Sequence, residues 1–475
     1  MRAVFVLIHR YAGLAIAAFL FVSGLTGAII SWDHELDELL NPQLLEATSP
    51  DGPRRDVFEL AREIESRHPQ VRVTFVPLDP EAGKSAQFGV DPRVDPATGR
   101  LYEPGYNEVF VDPVTGVELG QREWGGVWPI TRENLVSFLY VLHYSLHIPE
   151  MWGFDRWGLW LLGAVAIVWT LDCFVGLYLT LPVRRKARAQ AAVAGVFGAP
   201  NAPNTANTAN VASAVRPTNA VTAAASAVSA SEPTDDAISP PGRTWAQRWK
   251  PAWKIRWRGG PTKLNFDLHR AVSLWTWVLL LILAFTGFSL NLYNEVFYPL
   301  MSKVSTVTPS PFDVRVPHTR HDPFVPRITY AEILKNATAE AQRREWSAPA
   351  GSMFYFPEYG IYGVSFFSPG EDHGGAGVGP PVLYFDGADG ALLGDRQPWK
   401  GTAADIFVQA QFPLHSGRIL GLPGRILISL MGLVVAMLSV TGVVIWWKKR
   451  AARVRQELRC AGQVLAYNPG PPANL

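Results

Sequence analysis

The sequence predicts a membrane protein of four transmembrane α-helices in two tandem repeats, each repeat enclosing an extracytoplasmic α+β domain. Three observations point there. The 475 residues are 48% hydrophobic and only 18% charged, too apolar for a chain that is soluble throughout. Most of the excess lies in four runs, Tyr11 to Ile30, Trp157 to Leu181, Ser273 to Leu292 and Arg425 to Trp447, each near the ~20 residues that cross a bilayer as helix. Finally, IHRYAGLAIAAFLFVSGLTG from Ile8 returns 260 residues later as LHRAVSLWTWVLLLILAFTG, which matches His9 with His269 and Thr26 with Thr286.

The order along the chain follows from these runs. The first helix ends near residue 31, an outer segment fills 32–156, the second helix 157–181, a linker 182–268, the third helix 269–292, a second outer segment 293–424, the fourth helix 425–447 and a tail 448–475. Clusters of basic residues flank the runs: Arg184, Arg185, Lys186 and Arg188, then Arg256, Arg258 and Lys263, then Lys448, Lys449, Arg450 and Arg453. Short basic segments stay in the cytoplasm, so both termini are expected there. The first run lacks a small-x-small cleavage site before Trp32 and is read as an anchor, not a signal peptide. A net charge of +2 gives no reason to expect nucleic acid. Cys173 falls inside a membrane run and Cys460 in the tail, so neither suits a disulfide or a cysteine-ligated metal centre.

Each outer segment reads as a small α+β domain. VFVDPVTGVELG (109–120) and LYFDGADGALLG (383–394) are both a strand, an Asp/Gly turn and a second strand. A helical stretch precedes each, from Asp56 and from Thr329. Then LHYSLHIPEMWGFDRWG aligns with AQFPLHSGRILGLPGR, which pairs His147 with His415 and, one residue out of step, Arg156 with Arg425. In the linker, a stretch low in charge and rich in Ala, Asn, Ser and Pro reads as disordered. It ends with Trp245, Trp249, Trp253 and Trp257 among Arg and Lys, an expected interfacial segment on an anionic leaflet or a docking face for an acidic donor, interrupted by Pro251.

The histidines carry the chemistry. His68, His318, His321 and His373 fall within the outer segments, where structural roles are the default. His9 and His269 stand about one turn into matching helices, so a twofold axis between the helices would face their imidazoles as a bis-histidine b-type haem requires. Tetrahedral zinc would need two further ligands, and no Cys, His or acidic residue offers itself at both helix starts. His147 and His415 would hold a second haem at the outer face, with His143, one turn before His147, and His34, beyond the first helix, as alternates. Asp172 is the one acidic residue in the membrane runs and breaks the symmetry, a candidate haem contact, proton carrier or neutral buried acid. The paired Thr-Gly is read as an aid to close helix packing.

The paired IHR/LHR helix starts, the paired LH segments and the two Asp/Gly-turn outer segments resemble the bacterial PepSY-associated transmembrane family over nearly the whole chain. The nearest type within it is similar to inner-membrane siderophore reductases with periplasmic PepSY-like domains and b-type haem. The resemblance implies electrons passing from a cytoplasmic or quinol donor to a periplasmic ferric siderophore, with haem ligation at His9, His269, His147 and His415. Hard oxygen donors hold ferric iron better than ferrous, so reduction would loosen the metal. Two other classes remain open on the sequence: a membrane-anchored PepSY module binding a peptide or peptidase, and an iron or siderophore transporter.

Overall fold

The computed structural model describes residues 1–49, 52–183 and 244–466, with side chains through residue 460. In chain order the elements are α1 (Arg2–Ile30), α2 (Asp33–Leu40), α3 (Pro42–Leu45), α4 (Val57–Arg67), β1 (Val71–Pro77), β2 (Ala86–Pro92), β3 (Glu108–Val111), β4 (Glu118–Arg122), α5 (Leu135–Ser145), α6 (Trp157–Thr180) and α7 (Trp245–Trp249). There follow α8 (Pro261–Trp275), α9 (Trp277–Asn291), α10 (Tyr298–Val304), α11 (Tyr330–Arg343), β5 (Ala350–Phe356), β6 (Ile361–Phe366), β7 (Val382–Asp386), β8 (Leu392–Arg396), α12 (Ala403–Gln409), α13 (Gln411–Ser416) and α14 (Leu422–Ala466).

Among the described residues, three helices, α1, α6 and α14, are long and apolar enough to cross a membrane. The third apolar run is not a straight rod: α8 and α9 meet at Thr276 with a bend of 74°. Two indoles on either side of the bend are drawn to different neighbours, Trp275 Nε1 donating to the Trp253 carbonyl at 3.2 Å and Trp277 Nε1 to the Cys173 carbonyl at 2.9 Å. Taken as one bent span, α8 and α9 raise the number of crossings to four. The chain is thus a multi-pass membrane protein.

The helices pair across the two halves of the chain. α1 packs along α14, and α6 packs along α9. Small residues set the first contact: a Cβ placed on Gly24 would lie 2.7 Å from the Gly432 carbonyl oxygen, so any side chain there would push the helices apart. Two ion pairs brace the ends of these pairs nearest the sheet. Arg425, at the start of α14, bonds Glu35 at 2.6 Å and the Ser31 carbonyl at 2.8 Å, while its guanidinium lies 4.7 Å from the Trp32 ring centre. Arg156, just before α6, bonds Glu295 at 2.9 Å.

Outside the helices, the strands run in the order β4-β3-β2-β1-β5-β6-β7-β8, every neighbour antiparallel. The expected strand-turn-strand pairs are β3/β4 and β7/β8, and the expected helices are α4 and α11, capped by Asp56 and by a Thr329/Glu332 capping box. The two outer segments do not stand apart as separate domains, however. Strands β1 and β5 join them, with Phe75 opposite Phe354, Val76 opposite Met353 and Pro77 opposite Ser352. Each would otherwise be an open sheet edge, and pairing satisfies both. A single core follows, in which Leu60 and Ile64 of α4 and Ile333 and Ala337 of α11 pack with strands of both halves. Tyr330 adds a bond across the seam, its hydroxyl donating to the Val73 carbonyl at 3.1 Å.

Residues Leu181–Pro251 form a separate unit, whose described part includes α7. Thr244 caps that helix with Gln247, the Trp245 and Trp249 rings lie 5.1 Å apart, and the helix ends ahead of Pro251 as the sequence predicts. The Ala- and Asn-rich stretch lies outside the described residues.

The Asp of the first turn is a stability element. Buried Asp112 accepts from Thr48 Oγ1, Ser49 N, Val114 N and Thr115 N at 2.7–3.0 Å. Burial alone would raise its pKa, but these four donors outweigh it and hold the carboxyl below the usual carboxylate range. A depressed pKa contributes stability that is present above the ordinary carboxylate value and is lost as pH falls through the folded one. Asp112→Ala should therefore cost about 2–3 kcal/mol near neutral pH and less in acid, read as a fall in the detergent-solubilised thermal midpoint. Gly432→Leu should cost a further ~2 kcal/mol by overpacking the α1/α14 contact, whereas Leu433→Ala, at an exposed position, should not.

Candidate functional site

Four histidines meet in two pairs inside the helix bundle. Far from the sheet, the rings of His9 (α1) and His269 (α8) are 6.2 Å apart between centres and inclined at 55°. Near the sheet, His143 (α5) and His415 (α13) are 6.0 Å apart at 56°. Metal bonds of about 2.0–2.1 Å to two facing imidazole nitrogens, each about 1.1 Å from its ring centre, would put ring centres roughly 6 Å apart. Both pairs meet that spacing.

In each ring the other nitrogen, Nδ1, is held by the protein. His269 Nδ1 bonds the Leu438 carbonyl at 3.2 Å and Thr441 Oγ1 at 3.0 Å. His143 Nδ1 bonds the Ser23 carbonyl at 2.9 Å and Thr26 Oγ1 at 3.1 Å. A carbonyl only accepts, so both rings carry their proton on Nδ1 and present the Nε2 lone pair. His415 Nδ1 bonds Thr286 Oγ1 at 2.9 Å, and because that hydroxyl already donates to the Ile282 carbonyl at 2.7 Å, it accepts from the ring. His9 Nδ1 bonds both carboxylate oxygens of Asp172 at 2.9 Å. This is the arrangement that orients metal-binding histidines: one nitrogen fixed by a hydrogen bond, the other free to coordinate. Burial lowers the pKa of His143 to about 4 and that of His415 to about 3, so both rings are neutral near pH 7.

The threonines explain the repeated Thr-Gly. Each of these three threonines precedes a glycine over which a histidine ring lies: Gly27 under His143, Gly287 under His415 and Gly442 under His269. A Cβ on Gly27 would meet His143 Cε1 at 2.8 Å, so no side chain fits there while the ring is in place. The fourth ring, His9, lies over Gly176, where a valine, Val175, takes the place of threonine. Asp172, four residues before Gly176, supplies the missing acceptor. Leu438 stands four residues before Gly442 and offers only its backbone carbonyl.

His9 and His269 line a cavity of about 410 Å³ among α1, α6, α8 and α14. Small residues, Gly13, Ala17, Gly176 and Gly442, give it room, and Arg2, Arg10, Arg270 and Lys449 line it as well. Its size is that of a site for a sizeable cofactor. Its lining suits a flat apolar group with acidic substituents, set between the two imidazoles. Between the two histidine pairs lies a buried apolar cluster that includes Leu283, Ala284, Met431 and Val435.

Two sequence expectations change place. His147 does not face His415. α5 ends at Leu146, and both Leu146 and His147 have left-handed backbones, at φ 56° and 51°. Pro149, close behind, cannot extend the helix. The His147 ring turns back to stack on Phe138 at 4.5 Å, with its Nε2 bonded to the Phe138 carbonyl at 2.8 Å, so the nitrogen a metal would need is engaged. His143, still within the helix, takes the position instead. His34 is likewise not in a haem-type pair with any of the four. It lies beside His373, at 4.6 Å between ring centres.

A bundle of apolar helices that holds paired, Nδ1-anchored histidines beneath a covering sheet defines a multi-pass membrane protein with histidine pairs in its interior. The chain belongs to the family described as the PepSY-associated TM region, whose model matches residues 6–231 and 242–449. None of the curated proteins matches it.

Proposed function

We propose that the protein is a transmembrane electron conduit that binds b-type haem between His9 and His269 and again between His143 and His415. It would pass single electrons to a ferric siderophore docked on the sheet side. The observation that carries the reading is the geometry of the two pairs: imidazoles about 6 Å apart between ring centres, each anchored through Nδ1. Family membership supports the membrane setting. The flanking basic residues support a topology with both termini on the cytoplasmic side of a bacterial inner membrane, which would put the sheet in the periplasm. The electron donor is a cytoplasmic protein or a quinol. The two halves of the chain are read as copies of one unit, since His9 and His269, Thr26 and Thr286, and the ion-paired Glu35 and Glu295 are each 260 residues apart.

When bound, haem supplies a one-electron couple. The chain's own residues do the rest. The Nδ1 partners fix ring orientation, the apolar cluster between the pairs excludes water, and α1 sets the separation: seventeen residues from His9 to Thr26 rise roughly 25 Å, most of a bilayer core. At the sheet side, ferric iron held by hard oxygen donors takes one electron, becomes ferrous and binds those donors less tightly, so the metal leaves and the chelator is intact.

A dithionite-reduced minus oxidised spectrum with pyridine haemochrome quantification should give about two b-type haems per chain. His269→Ala and His143→Ala should each remove about one, and His147→Ala neither. Normal haem content in the first two variants would sink the assignment. Asp172→Asn should retain both haems while raising the midpoint potential of one. A carboxylate acceptor makes His9 a stronger donor to the oxidised metal, and its loss, at 10–100-fold in relative affinity, corresponds to roughly 60–120 mV.

A further inference from the structure

Outside the helix bundle, the loop between β6 and β7 brings Asp372 and His373 to His34 at the start of α2. One ligand atom from each of the three residues can be chosen so that all lie within 4.8 Å of one another. The two imidazoles meet edge to face at 81°, and His373 Nδ1 lies 3.7 Å from an Asp372 oxygen. His34 and Asp372 are exposed while His373 is partly buried, so an ion could arrive from solvent and meet a ligand already held by the protein.

The surrounding chain fixes this meeting of distant segments. Asp33, next to His34, bonds Arg418 at 3.1 Å, and the Cβ of Arg418 lies against Gly377 in the same loop as His373. Gly377 has a left-handed backbone, φ 76°, and a side chain there would collide with Arg418. The His373 carbonyl accepts from Gly379 N at 2.7 Å, and Trp399 Nε1 donates to the Gly375 carbonyl at 3.0 Å. Arg418 follows His415 by three residues, so the same contacts tie the loop to the helix that carries a buried paired histidine.

We propose that His34, Asp372 and His373 form a binding site for a divalent transition-metal ion. Two imidazoles and one carboxylate, with the remaining positions open to water, suit borderline first-row ions such as ferrous iron, cobalt and zinc better than magnesium or calcium, which favour oxygen ligands alone. Under the electron-conduit reading, on which this further step rests, the ion is the ferrous product. The site holds it near the place of reduction after its chelator has let go.

The test is anaerobic equilibrium dialysis of the full-length, detergent-purified protein against cobalt(II), and separately against ferrous iron, for wild type, His34→Ala, His373→Ala and, as a control, His321→Ala. The expected result is one ion per wild-type chain, with affinity reduced at least about tenfold in the first two variants, retained in the third, and an unchanged haem spectrum in all. Wild-type protein that retains no ion, or an ion held equally well by His34→Ala and His373→Ala, overturns the site. Cobalt bound at these residues by a chain that takes up no haem supports the metal site and overturns only its role as a receiver of reduced iron.

Discussion

An imidazole can donate from one ring nitrogen and offer a lone pair from the other, and the rest of this bundle is arranged around how four of them are held. Each of the paired histidines commits its N–H to the protein, through a threonine hydroxyl, a backbone carbonyl or the Asp172 carboxylate. In an apolar interior an unpartnered N–H is costly, so satisfying it fixes the ring and leaves the other nitrogen with its lone pair. The glycine beneath each ring lets the imidazole lie close on the helix, most tightly at Gly27 and Gly442, where a Cβ would come within 2.8 Å and 3.3 Å of the ring.

The helix pairing follows from this requirement. Each ring of a pair comes from a different half of the chain, so the halves must interlock, and they do so through α1 against α14 and α6 against α9. The Gly24 and Gly432 crossing allows α1 and α14 to approach closely, and the Arg425 and Arg156 ion pairs set their ends. One site departs from the pattern. Where the other three rings have a threonine, His9 has the Asp172 carboxyl, so the two histidine pairs differ in the polar group that anchors them.

Much of this was legible in the sequence, for identifiable reasons. The apolar runs, the Asp/Gly turns and the helix caps are local features, and local physics places them well. The His9/His269 pairing was legible because both residues sit on helices at the same distance from a shared Thr-Gly. His147 misled because its Leu-His dipeptide matches His415 by alignment, while the structure depends on where α5 stops; Pro149 was the available sign that helix could not continue through it. The third Thr-Gly, at Thr441, and the Val175 that replaces threonine in α6 were also readable as a pattern, but their meaning required knowing which ring lay above each glycine. The joining of β1 to β5 had no local signature, since a strand edge does not encode its partner.

That seam has a mechanical consequence. A carrier that exposes its cargo to each side of a membrane in turn must let one half of the molecule swing against the other. Here such a swing would have to part the backbone pairing of Phe75, Val76 and Pro77 with β5, shear a core to which both halves contribute, and slide α1 over α14 at a crossing with no slack. The halves are yoked at both ends. A molecule built this way keeps its two halves, and the histidine pairs between them, at a fixed separation.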